Sequence, residues 1–483
     1  MANVAPEMHG RKAIYTSVEH LDGENVVKVL SDAYIKHLVN RQQIQYLYDY
    51  YRGIQPVLGR VKEVRPEICS KIVENRANSI VTFRVGYTVG KPIQYVSVVS
   101  DDAVSKQIAR LNDLLRASGK ASKDKQLVEW QMICGTGYRM VLPSNSRRIP
   151  FELYTVDPRN AFVIYRNDVA HTPLAGVYYT VDDNENVTFN VYTSDNEFFR
   201  IKGWQSGVIV ERRDYVLGHI PIIEYPLNHA RMGAFEVVLP LLDALNSLDS
   251  NRLDGVEQFI QSLVVAYNCE FPDGTNGNTL REAGMVILKS TNENKADIKI
   301  LAEVLQQGDT EVLKRDIIDS INEIVGIPGQ GNGYTSDSSN TGAVVLKNGW
   351  QGAETRAQDF ETMFNEPEHV AIELLVEISN RLSDMNLDPD NIDVKFTRRN
   401  YEDLLSKSQT LVTMLGQDKI HPQCAYEASG LFVDTQDAYN MGMEWYEKMK
   451  EEQEEEEKLA QAGEGIGGKT YIKGYYQQRS DRK

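Results

Sequence analysis

One stretch of this sequence spells a nucleotide-binding signature. GEGIGGKT at 463–470 fits GxxxxGK[ST], in which backbone N–H groups cradle phosphates, the Lys reaches the terminal phosphates and the hydroxyl holds magnesium. That chemistry works only between a buried strand and a helix whose N-terminus faces the phosphates. Here the acidic run EEQEEEE at 451–457 precedes the match, only residues 471–483 follow it, and no strand with a magnesium-binding acid comes after. The letters read as a coincidence in a Gly-rich tail. A second near-match, GYTVGKP at 86–92, has the wrong spacing and carries Pro in the Ser/Thr place. There is no HExxH and no GxSxG, and the histidines are scattered without a triad context. Cys69, Cys134, Cys269 and Cys424 are too far apart for a CxxC site and read as core thiols of a reduced, cytoplasm-made protein. No catalytic residue, metal or cofactor is expected, and the chain does not read as an enzyme.

The remaining chemistry is electrostatic. A net charge of −17 argues against gripping nucleic acid through a broad basic face. Residues 322–350, NEIVGIPGQGNGYTSDSSNTGAVVLKNGW, pass from the end of an apolar-periodic helix through a Gly-, Ser-, Asn- and Thr-rich loop into a helix opening near Thr341-Gly342. Between Arg315 and Lys347 there is no Lys, Arg or His, while Asp316, Asp319, Glu323 and Asp337 are negative. Over 236–270, Glu236, Asp243, Asp249, Asp254, Glu257 and Glu270 stand against the single base Arg252. A flexible, acidic, hydroxyl-bearing loop between two helices suits a surface past which a polyanion slides.

Periodicity places the elements that hold these residues. Residues 1–26 read as a mobile polar arm. Leu30, Tyr34, Leu38, Ile44 and Leu47 predict a helix from Val26 to Tyr51, broken at Gly53 and Pro56. A helix is expected over 66–84, a turn-punctuated strand over GYTVGKPIQYVSVV, and helices near 103–117 and 123–134. Residues 138–226 alternate apolar and polar, the pattern of an antiparallel β-rich region. The first 230 or so residues are therefore α+β. From Phe235, residues Leu241, Leu245, Leu248, Arg252, Phe259 and Leu263 line one face of a helix of ~30 residues, ~45 Å long. Pro240 falls in its first turns. A compact insertion with a strand GMVILKS follows, and 301–325 return as an antiparallel helix. Residues 343–382 are expected to form a very long helix, with Gly349, Gly352 and Pro367 as its bend points, and 393–396 a short strand. Three helices over 400–460 break at Gly416, Pro422 and Gly430. No apolar run approaches ~18 residues, and MANVAPEMHGRK has no signal-peptide h-region, so neither a cleavable signal nor a membrane span is expected.

These pieces, in order, resemble the portal proteins of tailed bacteriophages, in the branch typical of long non-contractile-tailed phages of Gram-positive hosts. The resembling elements are Tyr48-Asp49-Tyr50-Tyr51-Arg52-Gly53, Asn75-Arg76-Ala77-Asn78 leading to Gly86-Tyr87-Thr88-Val89-Gly90-Lys91-Pro92-Ile93, and Ala161-Phe162-Val163-Ile164-Tyr165 after Asp157-Pro158. Gly218-His219-Ile220-Pro221-Ile222-Ile223-Glu224-Tyr225, Ile327-Pro328 and Gly342-Ala343-Val344-Val345-Leu346-Lys347 complete the set. Each alone is weak; their co-linear occurrence around a helix pair carries the resemblance. The chain departs from the family pattern in having Gly233-Ala234-Phe235 where a Ser/Asp cap pair is common, and Ile420-His421-Pro422-Gln423-Cys424 where the C-terminal helices begin.

The resemblance implies an α+β subunit of a portal-like ring, with an α/β wing, a two-helix stem, a small α/β clip and a helical crown. Its expected units are a flexible arm 1–26, wing 27–234, stem helix 235–267, clip 268–304, stem helix 305–326, tunnel loop 327–342, long wing helix and strand 343–399, crown 400–460 and flexible tail 461–483. It implies that Pro328, Gln330, Asn332, Tyr334, Ser336, Asp337, Ser338, Ser339 and Asn340 lie in the tunnel loop at the DNA channel. Asp243, Asp249, Asp254, Glu257, Asp316, Asp319 and Glu323 would form the stem's channel face. Asp273, Asn276, Arg281, Glu282 and Lys289 would meet partners at the clip. The implied partners are further copies of the chain in a dodecameric ring, double-stranded DNA read without sequence preference, the terminase large subunit, a head–tail adaptor, and the major capsid and scaffolding proteins. No membrane partner is implied. The rival readings are a packaging-motor ATPase, suggested only by GEGIGGKT, and a tail or adaptor ring with no translocation role.

Overall fold

The computed structural model describes residues 10–63, 66–99, 101–146, 148–260, 307–328, 350–397, 404–432 and 435–464, with the strand segments 263–267, 269–270, 289–290 and 297–301. In chain order the elements are β1 (Ile14–Thr16), α1 (Val26–Tyr51), α2 (Arg76–Thr88), β2 (Gln94–Ser97), α3 (Asp102–Ala117) and α4 (Lys120–Cys134). Next come β3 (Thr136–Pro143), β4 (Phe151–Val156), β5 (Ala161–Arg166), β6 (Pro173–Val181), β7 (Val187–Thr193), β8 (Glu197–Lys202), β9 (Val208–Asp214) and β10 (Ile222–Pro226). Then follow α5 (Leu239–Ile260), β11 (Leu263–Tyr267), β12 (Cys269–Glu270), β13 (Lys289–Ser290), β14 (Asp297–Leu301), α6 (Gln307–Val325) and α7 (Trp350–Leu382). The chain ends on β15 (Ile392–Lys395), α8 (Leu404–Leu415), α9 (Pro422–Ser429) and α10 (Thr435–Glu464). The class is α+β, as the alternating and helical periodicities require.

The helix α1 joins two cores because its buried residues change partners along its length. Val26, Val29, Leu30, Ala33 and Tyr34 pack on Phe162, Val177, Tyr179, Phe189 and Phe199 of a six-stranded sheet ordered β1-β5-β6-β7-β8-β9. Further on, Ile44, Leu47 and Tyr50 enter a larger core shared by α2, α3, α4, α5, α6 and α7. At β5 the sheet is covered on both faces, whereas the edge strand β9 is largely exposed. Strand β5 sends Phe162 and Ile164 to α1, while Ala161 and Val163 turn to the three-stranded sheet β10-β3-β4 through Met140 and Ile222.

Three segments depart from the sequence expectations. The long helix expected to run to 267 with Leu263 on its face stops at Ile260, and Leu263–Tyr267 form strand β11 because they pair with β14. The expected arm through residue 26 is built into the fold from Gly10 onward. Strand β1 runs parallel to β5, and buried Arg11 bonds Glu236 at 2.5 Å. Glu236 also accepts the backbone N–H of Gly10 and of Gly233, so one buried carboxylate ties the N-terminal segment to the turn that leads into α5. The expected helix over 66–84 begins only at Arg76, after Asn75 caps it by accepting from the Asn78 N–H. Before it, the chain is an extended strap bonded to α5. The N–H groups of Ser70, Ile72 and Glu74 donate to Asp254 (2.7 Å), Ser250 (3.0 Å) and Asn246 (2.8 Å). Two extended residues advance about 6.6 Å and four helical residues about 6 Å. A strap donating at every second residue therefore stays in step with acceptors spaced by four. The same backbone groups cannot close a helix.

The position of α7 is fixed at Pro367. Proline has no N–H to bond the carbonyl of Met363 one turn back. The next residue, Glu368, enters a fully buried cluster of two acids and two bases. Its carboxylate takes Lys120 at 3.0 Å, Arg139 at 2.7 Å and the Tyr225 hydroxyl at 2.8 Å, and also accepts the Tyr95 hydroxyl. Asp124 binds Lys120 at 2.8 Å and the other arm of Arg139. Burial pushes the Glu368 carboxyl up, but Arg139 and Lys120 outweigh it and hold it at about 2. One carboxylate thus ties α7 to α4, β2, β3 and β10.

Candidate channel stem and loop neck

Helices α5 and α6 pair closely, with Leu242 and Leu245 of one and Ile321 and Val325 of the other in the same core. Pro240 sits in the first turn of α5, where its missing N–H costs no helical bond. Farther along, Lys314 reaches Asp249 at 2.9 Å and Glu74 at 3.0 Å, and Arg252 meets Glu311 at 2.8 Å. Partner numbers that rise on α5 as they fall on α6 make the pair antiparallel, as expected.

The acids expected on the stem divide into two groups. Asp243, Asp249 and Asp254 of α5 are turned into the fold. Asp243 accepts from the Tyr50 hydroxyl at 2.9 Å, and burial raises its pKa. Burial also raises Asp249, which Lys314 partly offsets. Asp254, 2% exposed, takes Arg60 at 3.1 Å, Lys62 at 2.5 Å and the Ser70 N–H. Burial pushes it up, but the bonds from Lys62 and Ser70 outweigh that and hold it at about 2. These three are therefore not free, solvent-facing carboxylates. Arg252 is the only base in that stretch of sequence, but the neutralising groups come from residues 50–62 and 314. The open side of α5 instead carries uncharged Ala244, Ser247 and Asn251, and Glu257 is half-buried. On α6, Asp316, Asp319 and Glu323, at steps of three and four, are exposed along one stripe, with Arg315 beside them.

Between the stem helices, β11 pairs antiparallel with β14 and β12 with β13, so the insertion holds two small ladders. Lys289 lies in β13 opposite Glu270. Asp273, Asn276, Arg281 and Glu282 lie outside the described residues. So do Gln330, Asn332, Tyr334, Ser336, Asp337, Ser338, Ser339 and Asn340; of the loop residues named from the sequence, only Pro328 is described.

The neck from which that loop departs was not anticipated. Gly326 ends α6 with φ +71°, and the Ile327 N–H bonds the Asn322 carbonyl at 2.9 Å, a Schellman closure. Helix α7 arrives against it. Arg356 donates to the Ile324 carbonyl at 2.7 Å, and a Cβ on Gly326 would stand 2.9 Å from Arg356 Cδ and 3.2 Å from the Gly352 oxygen. Trp350 packs beside Phe83 and Tyr87 of α2 at 6.2 and 5.9 Å, and Tyr87 donates to Glu354 at 2.9 Å. Burial, and then the Arg356 charge, lower Arg84 there to about 10. The sequence signal was available: Gly, an apolar residue and Pro directly after a periodic helix mark this terminus.

Gly326→Val is expected to cost about 1–2 kcal/mol from left-handed backbone alone. Amide-exchange protection over 321–325 should fall roughly tenfold or more, since 1.4 kcal/mol is a factor of ten. Gly308→Ala on the same helix, where a Cβ meets nothing within 4 Å, should leave it unchanged. Equal protection in both variants would show that the neck does not depend on Gly326.

No other chemistry gathers among the described residues. GEGIGGKT begins at the end of α10, so a helix and not a strand leads into it, and 465–470 lie outside the described residues. No group of three or more His, Cys, Asp or Glu among the described residues could hold a metal. His37 is buried between Tyr34 and Phe162, and burial lowers it to about 4, a core role.

The family model for phage portal proteins of the SPP1 Gp6-like type matches residues 33–459. The chain belongs to that family. The match runs from within α1 to within α10, so this portal protein is a virion-associated structural component of a phage-like particle that assembles as an oligomer. No curated protein matches it. A solved structure titled "Virion of native gene transfer agent (GTA) particle" is similar at TM-score 0.42 and 12% identity, covering 81% of this chain and 94% of that one. Among the described residues, no helix of this portal protein is long and apolar enough to cross a membrane.

Proposed function

We propose that this chain forms a closed, dodecameric ring at one capsid vertex, through which double-stranded DNA is packaged and later ejected. The family match over 33–459 carries this reading. The exposed acid stripe of α6, which ends at a neck where Arg356 of α7 bonds the Ile324 carbonyl, supports it. Phosphate is repelled by Asp316, Asp319 and Glu323 over the ~8 Å reach that physiological salt allows. A ring of bases in their place would grip DNA instead, because each phosphate contact adds affinity by counterion release. The clip, with Lys289 in β13, docks the terminase large subunit during packaging and the head–tail adaptor afterwards. The outer wing and crown meet the major capsid and scaffolding proteins. The ring belongs to a long non-contractile-tailed phage of a Gram-positive host and is put together in the host cytoplasm, with no cofactor and no catalytic step of its own.

Native mass spectrometry of the purified chain under assembly conditions tests this reading. A discrete closed oligomer is expected; a stable monomer across concentrations and salts would contradict it.

A further inference from the structure

Helices α8, α9 and α10 form an array with α9 in the middle, packed against α8 on one side and α10 on the other. His421 and Tyr426 of this region lie 5.9 and 6.0 Å from the Tyr439 ring of α10. A Cβ on Gly442 would stand 2.6 Å from the Tyr426 hydroxyl, so α10 lies close against α9 there. That packing uses only the first turns of α10. Two apolar edges are left open, one on each outer helix. On α10, Met441, Trp445 and Met449 recur every four residues along one side and are 64%, 67% and 36% exposed. On α8, Val412 and Leu415 are 70% and 43% exposed. Soluble monomers rarely leave clustered large apolar side chains uncovered. A small helical array also has little core of its own, with Ala425 its one fully covered apolar residue among those described.

The two edges differ in composition and lie on different helices, so neither is built to meet itself. A contact that uses both is head-to-tail, and such a contact leaves nothing open only when it repeats until it closes. We propose that the Met441–Trp445–Met449 edge of one copy packs on the Val412–Leu415 edge of the next, sealing the ring through its C-terminal helices. The occupant is a second copy of this chain, and the inference rests on the ring reading above. Nucleic acid is disfavoured as occupant, because α10 continues directly into EEQEEEE at 451–457.

Cross-linking of the full chain tests the contact. In a background with Cys69, Cys269 and Cys424 replaced by Ser, which leaves only the buried Cys134, Val412→Cys with Trp445→Cys, treated with a short bismaleimide, is expected to give a ladder of covalent oligomers on a denaturing gel. Each single cysteine variant should stay at the single-chain band. Rings that form normally by native mass yet give no ladder would overturn the proposal, as would dimers from Trp445→Cys alone. The Trp445→Phe difference emission spectrum provides a second readout without a cysteine. The Trp445 component should move to the blue on ring formation. A component that stays red in intact rings, or moves only when scaffolding protein is added, overturns the contact. Failure of the unsubstituted chain to form rings would instead sink the ring reading, and this contact with it.

Discussion

Glu368→Gln is expected to be among the most damaging single substitutions in the molecule. It leaves Lys120 and Arg139 facing Asp124 alone, an uncompensated positive charge in a site where all four side chains are at most 4% exposed. Breaking a buried pair from one side costs about 3–5 kcal/mol, because the surviving charge stays desolvated. Amide protection in α4, β3 and α7 should therefore drop by roughly two to four orders of magnitude. A drop below threefold would mean that water already reaches the cluster. Replacing all four charged residues with apolar ones of similar volume should recover much of the loss. The pH dependence has a definite sign. The Glu368 carboxyl is held at about 2 in the fold, below its ordinary value near ~4.3. Its stabilisation is thus complete above ~4.3 and is lost as pH falls through about 2. Acid should loosen α7 from β3 in that window, and not between pH 5 and 8.

The second large effect concerns DNA. Replacing Asp316, Asp319 and Glu323 together with Lys should leave ring formation intact, because all three are exposed and none supports the α5–α6 core. Packaging should stall. With 6–10 phosphate contacts, binding weakens roughly 10³–10⁵-fold between 50 and 200 mM salt. Rings of lysines would therefore hold DNA tightly at low salt and release it steeply as salt rises. Asp337→Lys in the loop should act in the same direction. Rings of the triple variant that package at the unsubstituted rate would show that the α6 stripe faces away from DNA.

Much of this was legible in the sequence where one helix buries one face. The bounds of α1 follow from Leu30, Tyr34, Ile44 and Leu47, and those of α3 and α4 fall close to their apolar patterns. The breaks at Gly416, Pro422 and Gly430 separate α8, α9 and α10 as spaced. What the sequence hid depended on partners far along the chain. The strap at 68–74 reads as a helix because Ile68, Ile72 and Ala77 have helical spacing, yet its N–H groups go to Asn246, Ser250 and Asp254. Residues 10–25 look like a polar arm because Arg11 finds Glu236 only in three dimensions. The same blindness affected the α5 acids. Counting charges along 236–270 missed Tyr50, Arg60, Lys62 and Lys314, which turn Asp243, Asp249 and Asp254 inward. On α6, by contrast, Asp316, Asp319 and Glu323 are exposed, and no base pairs with them among the described residues.

The central claim is that copies of this chain surround DNA with that stripe turned inward. Cryo-electron microscopy of the purified assembly tests it most directly. A closed ring with Asp316, Asp319 and Glu323 of every copy facing the axial hole is the predicted result. The same carboxylates on the outer rim, or an assembly with no hole, would contradict it.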